Sequence, residues 1–273
     1  MGLDPHISDL REPTAEAALD FCLNLVKQTA PYAAAFKPNA AFFEQFGPEG
    51  WDALKQVIAA IAAESARMGS MIPVILDAKR GDIASTAEAY ARSAFETLGA
   101  HCITLNPYLG KDSIDPFIVH PEKGVFLLCK TSNPGASDLQ DLTVNRKPPS
   151  TGKLSATDDP PTGSAPRFVV FLYEHVAELA QHWNTKNNIG LVVGATQLQA
   201  LRRVRQAAPG LWLLTPGVGA QGGDLEMALK SGLRWDHKGM LIPVSRGISR
   251  AENPAQTAAE LRDQIVSIVY GLR

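Results

Sequence analysis

The chain has 273 residues, 45% of them apolar and 20% charged, with a formal net charge of −2. This composition excludes a mostly disordered or collagen-like chain, and so small a net charge gives no general field for nucleic acid or an anionic membrane surface. No apolar run reaches the ~18 residues of a spanning helix and the first residues form no signal peptide, so a cytoplasmic protein that binds no membrane is expected.

Short apolar runs come first in each of a series of units. They are Gly2–Asp4, Tyr32–Lys37, Met71–Asp77, His101–Asn106, Gly124–Lys130, Ile189–Ala195, Leu211–Thr215 and Met240–Ser245. Most are continuous rather than alternating, as strands covered on both faces are. The first is very short. Helical spacing or helix-opening residues mark the stretches that follow: Thr14–Thr29, Glu49–Met68, Ser85–Leu98, Asp112–Val119, Phe168–Trp183, Gln197–Ala207, Gly222–Ser231 and Asn253–Leu272. Eight strand seeds alternating with eight helices predict parallel strands joined by right-handed crossovers. In one domain this is an α/β fold of the closed (β/α)8 TIM-barrel type over residues 1–273, with a doubly wound open sheet as the alternative.

One stretch breaks the rhythm. Asp138–Pro166, after the fifth strand, holds five prolines and no aromatic residue, and is expected to be a flexible insertion. Cys22, Cys102 and Cys129 sit among apolar neighbours; an odd, sparse count suits small core residues in a reducing compartment. The six histidines show no metal-ligand spacing, and neither a serine nucleophile elbow nor a Walker loop is present.

The active sites of such barrels lie where strands end. The first seed ends in Asp4 and the second in Lys37. The third runs into Asp77-Ala78-Lys79-Arg80-Gly81-Asp82, and the fifth into Lys130-Thr131-Ser132-Asn133. The seventh leads to Pro216 and a glycine-rich loop, and the eighth to Ser245-Arg246-Gly247. If still extended, Asp77 and Lys79 face the same way. Four or five ionisable groups on one rim carry a desolvation cost that structural roles rarely justify. A lysine between two aspartates is also a poor divalent-metal site. The glycine-rich loop and Arg246 suit a phosphate, although the glycines serve the turn equally well.

Asp77-Ala78-Lys79-Arg80-Gly81-Asp82-Ile83 resembles the D-x-K-x-x-D signature of the orotidine 5′-phosphate decarboxylases, in the form of the bacterial type 2 branch. Gly2-Leu3-Asp4-Pro5, Phe36-Lys37-Pro38-Asn39, Thr131-Ser132-Asn133-Pro134-Gly135 and Pro216–Gly223 resemble further segments of that branch, in order along nearly the whole chain. The resemblance implies a reaction in which orotidine 5′-phosphate loses CO2 to give UMP, the last step of pyrimidine synthesis, with no metal and no organic cofactor. It implies that Lys79 donates a proton to C6, that Asp77 sits beside the departing carboxylate, and that Lys37 pairs with the aspartates and the ribose. Asp4 would hold a ribose hydroxyl and Ser132 the pyrimidine. Pro216 would line the substrate site, and Gln221 and Arg246 would bind the phosphate. Asp82, Ile83 and Thr86 would reach into the neighbouring subunit's site, which makes a homodimer necessary.

Three other readings stay open on the residues. A Schiff-base aldolase would use Lys79 or Lys37 as nucleophile, against the effect of the flanking carboxylates. A sugar-phosphate decarboxylase should need a metal. A nucleotide-binding module that has lost its activity should also have lost a charge from the array.

Overall fold

A computed structural model describes residues 1–146, 168–219 and 222–272. Its barrel strands are β1 (Gly2–Leu3), β2 (Lys37–Pro38), β3 (Ile75–Arg80), β4 (Cys102–Leu105), β5 (Gly124–Lys130), β6 (Ile189–Val193), β7 (Trp212–Leu214) and β8 (Met240–Leu241). The principal helices are α1 (Ala15–Thr29), α2 (Pro48–Met68), α3 (Ala84–Arg92), α4 (Leu172–Trp183), α5 (Leu198–Ala207), α6 (Leu225–Gly232) and α7 (Pro254–Gly271).

The strands β3 to β8 form one parallel sheet in the order β8-β7-β6-β5-β4-β3. Single bridges, Phe36 to Val74 and Asn39 to Asp77, join β2 to β3, and β1 pairs in parallel with β2. The amide of Gly2 donates to the Val244 carbonyl at 2.8 Å and returns the ring to the segment after β8. A Cβ on Gly2 would lie 2.9 Å from that of Ser245, so glycine permits this close approach. The fold is therefore a closed α/β barrel, not an open sheet, and a two-residue β1 suffices for closure.

Buried side chains divide as the strand pattern requires. Leu25, Val26, Leu54, Val57, Ile61, Leu201 and Val204 belong to the main core, to which the helices contribute. Ile75, Phe126, Val192 and Leu214, from β3, β5, β6 and β7, form a separate inner cluster with Ala35. Gly190 on β6 makes room for this layer, because a Cβ there would lie 2.6 Å from the Phe126 ring.

Three expected elements differ. Asp112–Val119 forms 3-10 turns at Lys111–Ser113 and Asp115–Phe117, not an α-helix. Pro116 has no amide to donate and disfavours helical backbone in Asp115 before it. The expected helix at Phe168 begins only at Leu172; Phe168–Phe171 is a strand, antiparallel to Thr143–Arg146. Its Phe-Val-Val-Phe sequence is aromatic and β-branched throughout, which favours extended backbone. The second strand starts at Lys37, because Ala30–Tyr32 continues from α1 as a 3-10 turn. Thus the first residues of the expected insertion, 138–146, are built into the fold, and its remainder, 147–166, lies outside the described residues. No described helix is long and apolar enough to cross a membrane.

Candidate active site

A cavity of about 540 Å3 opens at the carboxyl ends of the strands. Asp4 lines it from β1, Lys37 from β2, Asp77 and Lys79 from β3, and Thr104 from β4. Thr131, Ser132 and Asn133 follow β5, Pro216 to Val218 follow β7, and Ser245 to Gly247 follow β8. A second cavity, of about 320 Å3, lies at the amino ends between the strands and α7, with a mainly apolar lining. The ionisable groups converge on the first.

Asp77 is the centre of the charged array. Lys37 Nζ lies 2.6 Å from Asp77 Oδ2, and Lys79 Nζ lies 2.6 Å from Asp77 Oδ1. The Lys37 and Asp77 side chains are 11% and 12% exposed, whereas Lys79 is 50% exposed and reaches the open cavity. Burial pushes the Asp77 carboxyl upward, but the two ammonium groups outweigh it and hold the pKa at about 2, below the usual 3.8. Asp77 is thus a fixed anion at neutral pH, with both oxygens engaged by cations.

The residues before and after Lys79 do not continue as a regular strand. Lys79 has φ +49°, in the left-handed region, and the pairing of β3 with β4 shifts register between Leu76 and Arg80. Asp77 and Lys79 therefore meet through a bulge and a turn, not by strand alternation. Arg80 points to an ion pair with Glu44 and stacks over Tyr90, 5.1 Å from the ring centroid, and so clamps the loop that precedes α3. Ala84, at the start of that helix, also has positive φ, +48°. Non-glycine residues of this kind concentrate where surrounding structure imposes a functional geometry.

The far wall supplies polar groups. Asp4 Oδ1 and Ser245 Oγ are buried without a hydrogen-bond partner among the described residues. Arg246 opens a four-residue helical turn, Arg246–Ser249, at the cavity edge. In the glycine-rich loop the amides of Gly219, Gly222 and Gly223 bond to carbonyls of the loop itself. Gly217, Gly219 and Gly222 have positive φ, and a Cβ on Gly223 would lie 2.7 Å from the Gly217 carbonyl. These glycines serve the turn. The N-terminus of α6 is capped by Asp224, whose side chain accepts from the Met227 amide, so Arg246 is the principal described group for an anion there.

Of the residues singled out from sequence, Asp4, Lys37, Asp77, Lys79, Ser132, Pro216 and Arg246 meet in this cavity. Asp82, Ile83 and Thr86 do not; Ile83 and Thr86 are exposed, and the Asp82 carboxylate accepts from the amide of Ile83. Gln221 lies outside the described residues. Sequence reasoning passed over Thr104 and Gln140. Thr104 is a lone polar residue within the apolar run of β4, a signal that was available. Gln140 fell inside the proline-rich stretch; its amide group pairs with the Thr131 amide and hydroxyl at 2.8 and 2.9 Å and ties down the loop carrying Ser132. An ion pair between the buried Lys130 and the exposed Asp141, at 2.8 Å, braces the same loop.

Fold and site together define a (β/α)8 barrel with a mixed-charge pocket built on its third strand. The family model for the orotidine 5′-phosphate decarboxylase / HUMPS family matches residues 1–159 and 168–261. An orotidine 5′-phosphate decarboxylase of Roseiflexus sp. (strain RS-1) is 44% identical over 268 residues, covering 96% of this chain and 87% of the relative. That of Methylibium petroleiphilum is 45% identical over 277 residues, covering 100% and 91%. Among solved structures, the Leishmania donovani OMP decarboxylase is similar with a TM-score of 0.81 and 50% identity, covering 98% of this chain and 92% of that one. The chain belongs to the orotidine 5′-phosphate decarboxylase / HUMPS family.

Proposed function

We propose that this protein decarboxylates orotidine 5′-phosphate to UMP and CO2, with residues 1–273 acting as one catalytic domain. The observation that carries this reading is the Lys37–Asp77–Lys79 array, in which one buried carboxylate holds two ammonium groups at 2.6 Å beside an open cavity. Family membership and the 44–45% identity to named orotidine 5′-phosphate decarboxylases support it.

The chemistry follows from the geometry. When the bond from C6 to the carboxylate carbon breaks, its electron pair stays on C6 and CO2 leaves. Negative charge then develops at C6. Lys79, half-exposed at the cavity floor, places a cation beside that position and transfers a proton to it, becoming a neutral amine. The partners of this cation are fixed before reaction, so little reorganisation accompanies the charge shift. Asp77 stands beside the departing carboxylate. Lys37 and Asp4 face the ribose, Ser132 and Pro216 the pyrimidine side, and Arg246 the phosphate, a role the family resemblance also gives to Gln221. Phosphate held far from C6 contributes binding energy that positions the reacting centre.

Asp82, Ile83 and Thr86 do not line their own cavity, which suits a role in the site of a second copy in a homodimer. The Schiff-base alternative needs a free nucleophilic amine. Here both lysine head groups are engaged by Asp77 oxygens, which also leaves that carboxylate ill suited to a metal.

Lys79→Ala tests the reading. The variant is expected to bind UMP as the wild type does and to lose turnover of orotidine 5′-phosphate by about 10^4-fold, the upper range for a positioned proton donor. Near-normal turnover in that variant would remove Lys79 as the donor.

A further inference from the structure

We infer that Thr104, on β4, is a positioning residue: its single hydroxyl sets both the orientation of the Asp77 carboxylate and the left-handed backbone at Lys79. The inference rests on the reading of the site given above and extends it to a residue outside the charged array.

The geometry is specific. Thr104 Oγ1 donates to Asp77 Oδ1 at 3.0 Å, and the same oxygen accepts from the amides of Ala78 at 3.0 Å and Lys79 at 2.9 Å. One hydroxyl has one donor and two acceptor positions, and all three are in use. The side chain is 1% exposed, so bulk water does not substitute for any of these bonds.

The need for this hydroxyl arises in the backbone. Between Leu76 and Arg80, β3 advances four residues while β4 advances two, from Ile103 to Leu105. Such a bulge takes amides out of the regular ladder, and buried amides must find other acceptors. Thr104 Oγ1 supplies that acceptor for two consecutive amides across the bulge. Lys79 meanwhile holds φ +49°, a conformation that its Cβ disfavours and that persists only where its surroundings impose it. Asp77 Oδ1 is also the oxygen that holds Lys79 Nζ at 2.6 Å. The hydroxyl therefore constrains the reactive lysine twice, at its own amide and through its carboxylate partner. Lys37 is held by the other oxygen, Oδ2, and does not depend on Thr104 directly.

This arrangement distinguishes Thr104 from an ordinary core residue. Thr104→Val keeps shape and burial and removes the hydroxyl. Thr104→Ser keeps the hydroxyl and removes a methyl. A packing role makes serine the more harmful change, and a positioning role makes valine the more harmful one.

Both variants are assayed for kcat and KM on orotidine 5′-phosphate and for the Kd of UMP, and exchange of the Ala78 and Lys79 amides is followed by NMR. The expected result is that Thr104→Val lowers kcat by about 100-fold, as a reacting group displaced by an ångström does. The UMP Kd stays within about threefold, because ribose and phosphate contacts lie elsewhere, and the two amides exchange at least about tenfold faster. Thr104→Ser restores kcat to within about threefold of wild type. If Thr104→Val does not fold, Thr104→Ala against Thr104→Ser gives the same comparison. A kcat for the valine variant within twofold of wild type, an equal fall for serine and valine, or unchanged amide exchange would each overturn the role. Absence of turnover in the wild-type protein would instead overturn the reading of the site, and the amide-exchange comparison, which needs no substrate, would still decide the role of Thr104.

Discussion

At the scale of single residues, Asp77 links the chemistry to stability. Its pKa falls from 3.8 to about 2 in the folded protein, so the folded state favours the ionised form. A depressed carboxyl contributes stability that is present above the unfolded pKa and is lost as pH falls through the folded one. The window here runs from about pH 4 down to about pH 2, and the contribution is on the order of 2 kcal/mol. Urea unfolding of the wild type and Asp77→Asn should show a stability gap at pH 5 that narrows as pH approaches 3; a gap independent of pH would contradict the assignment. Most of the cavity wall was legible as polar residues at the ends of apolar runs, from Asp4 through Lys79 to Arg246. Thr104 stood out only as a polar residue in the apolar run of β4; its role was not legible, because that role depends on a register shift between two strands. Gln140 was hidden by the prolines that follow it.

At the scale of elements, the alternation of apolar runs with helical spacing was enough to anticipate the parallel barrel, since continuous apolar strands need cover on both faces. It failed where proline or β-branched residues override helical spacing, at Pro116 and at Phe168–Phe171. Two positions test how the elements hold together. Gly190→Ala drives a methyl into the Phe126 ring inside the barrel and should cost about 1–3 kcal/mol by overpacking, read as a lower urea midpoint. Arg205, on α5 at the end remote from the active site, donates to the carbonyls of Gly232, Ala208, Leu211 and Gly239 at 2.7–3.1 Å. Burial and then the nearby Arg234 lower its pKa to about 10, which still leaves it charged at neutral pH. Arg205→Met should remove one donor from each of those carbonyls, of which Gly239 and Ala208 keep a backbone amide, and cost about 3 kcal/mol, with kcat unchanged because the active site lies at the other end. A stable variant, or one impaired in kcat alone, would contradict this separation of stability from chemistry.

At the scale of the whole molecule, the proposed dimer makes the site a property of two chains. Asp82 and Lys79 would then act in one site from different subunits. Neither Lys79→Ala nor Asp82→Asn should be active alone, yet subunit exchange between them creates heterodimers in which one of the two sites has both residues intact. An equimolar mixture should recover roughly a quarter of the wild-type rate, given random pairing of a two-fold dimer. No recovery after confirmed exchange would place Asp82 outside the shared site. The most direct test of the account is the reaction itself: purified protein is mixed with orotidine 5′-phosphate in EDTA, the change in ultraviolet absorbance is followed, and the product is identified. Complete conversion to UMP is expected, at a rate that EDTA does not alter; failure of a correctly folded dimer to convert the nucleotide would contradict the proposed activity.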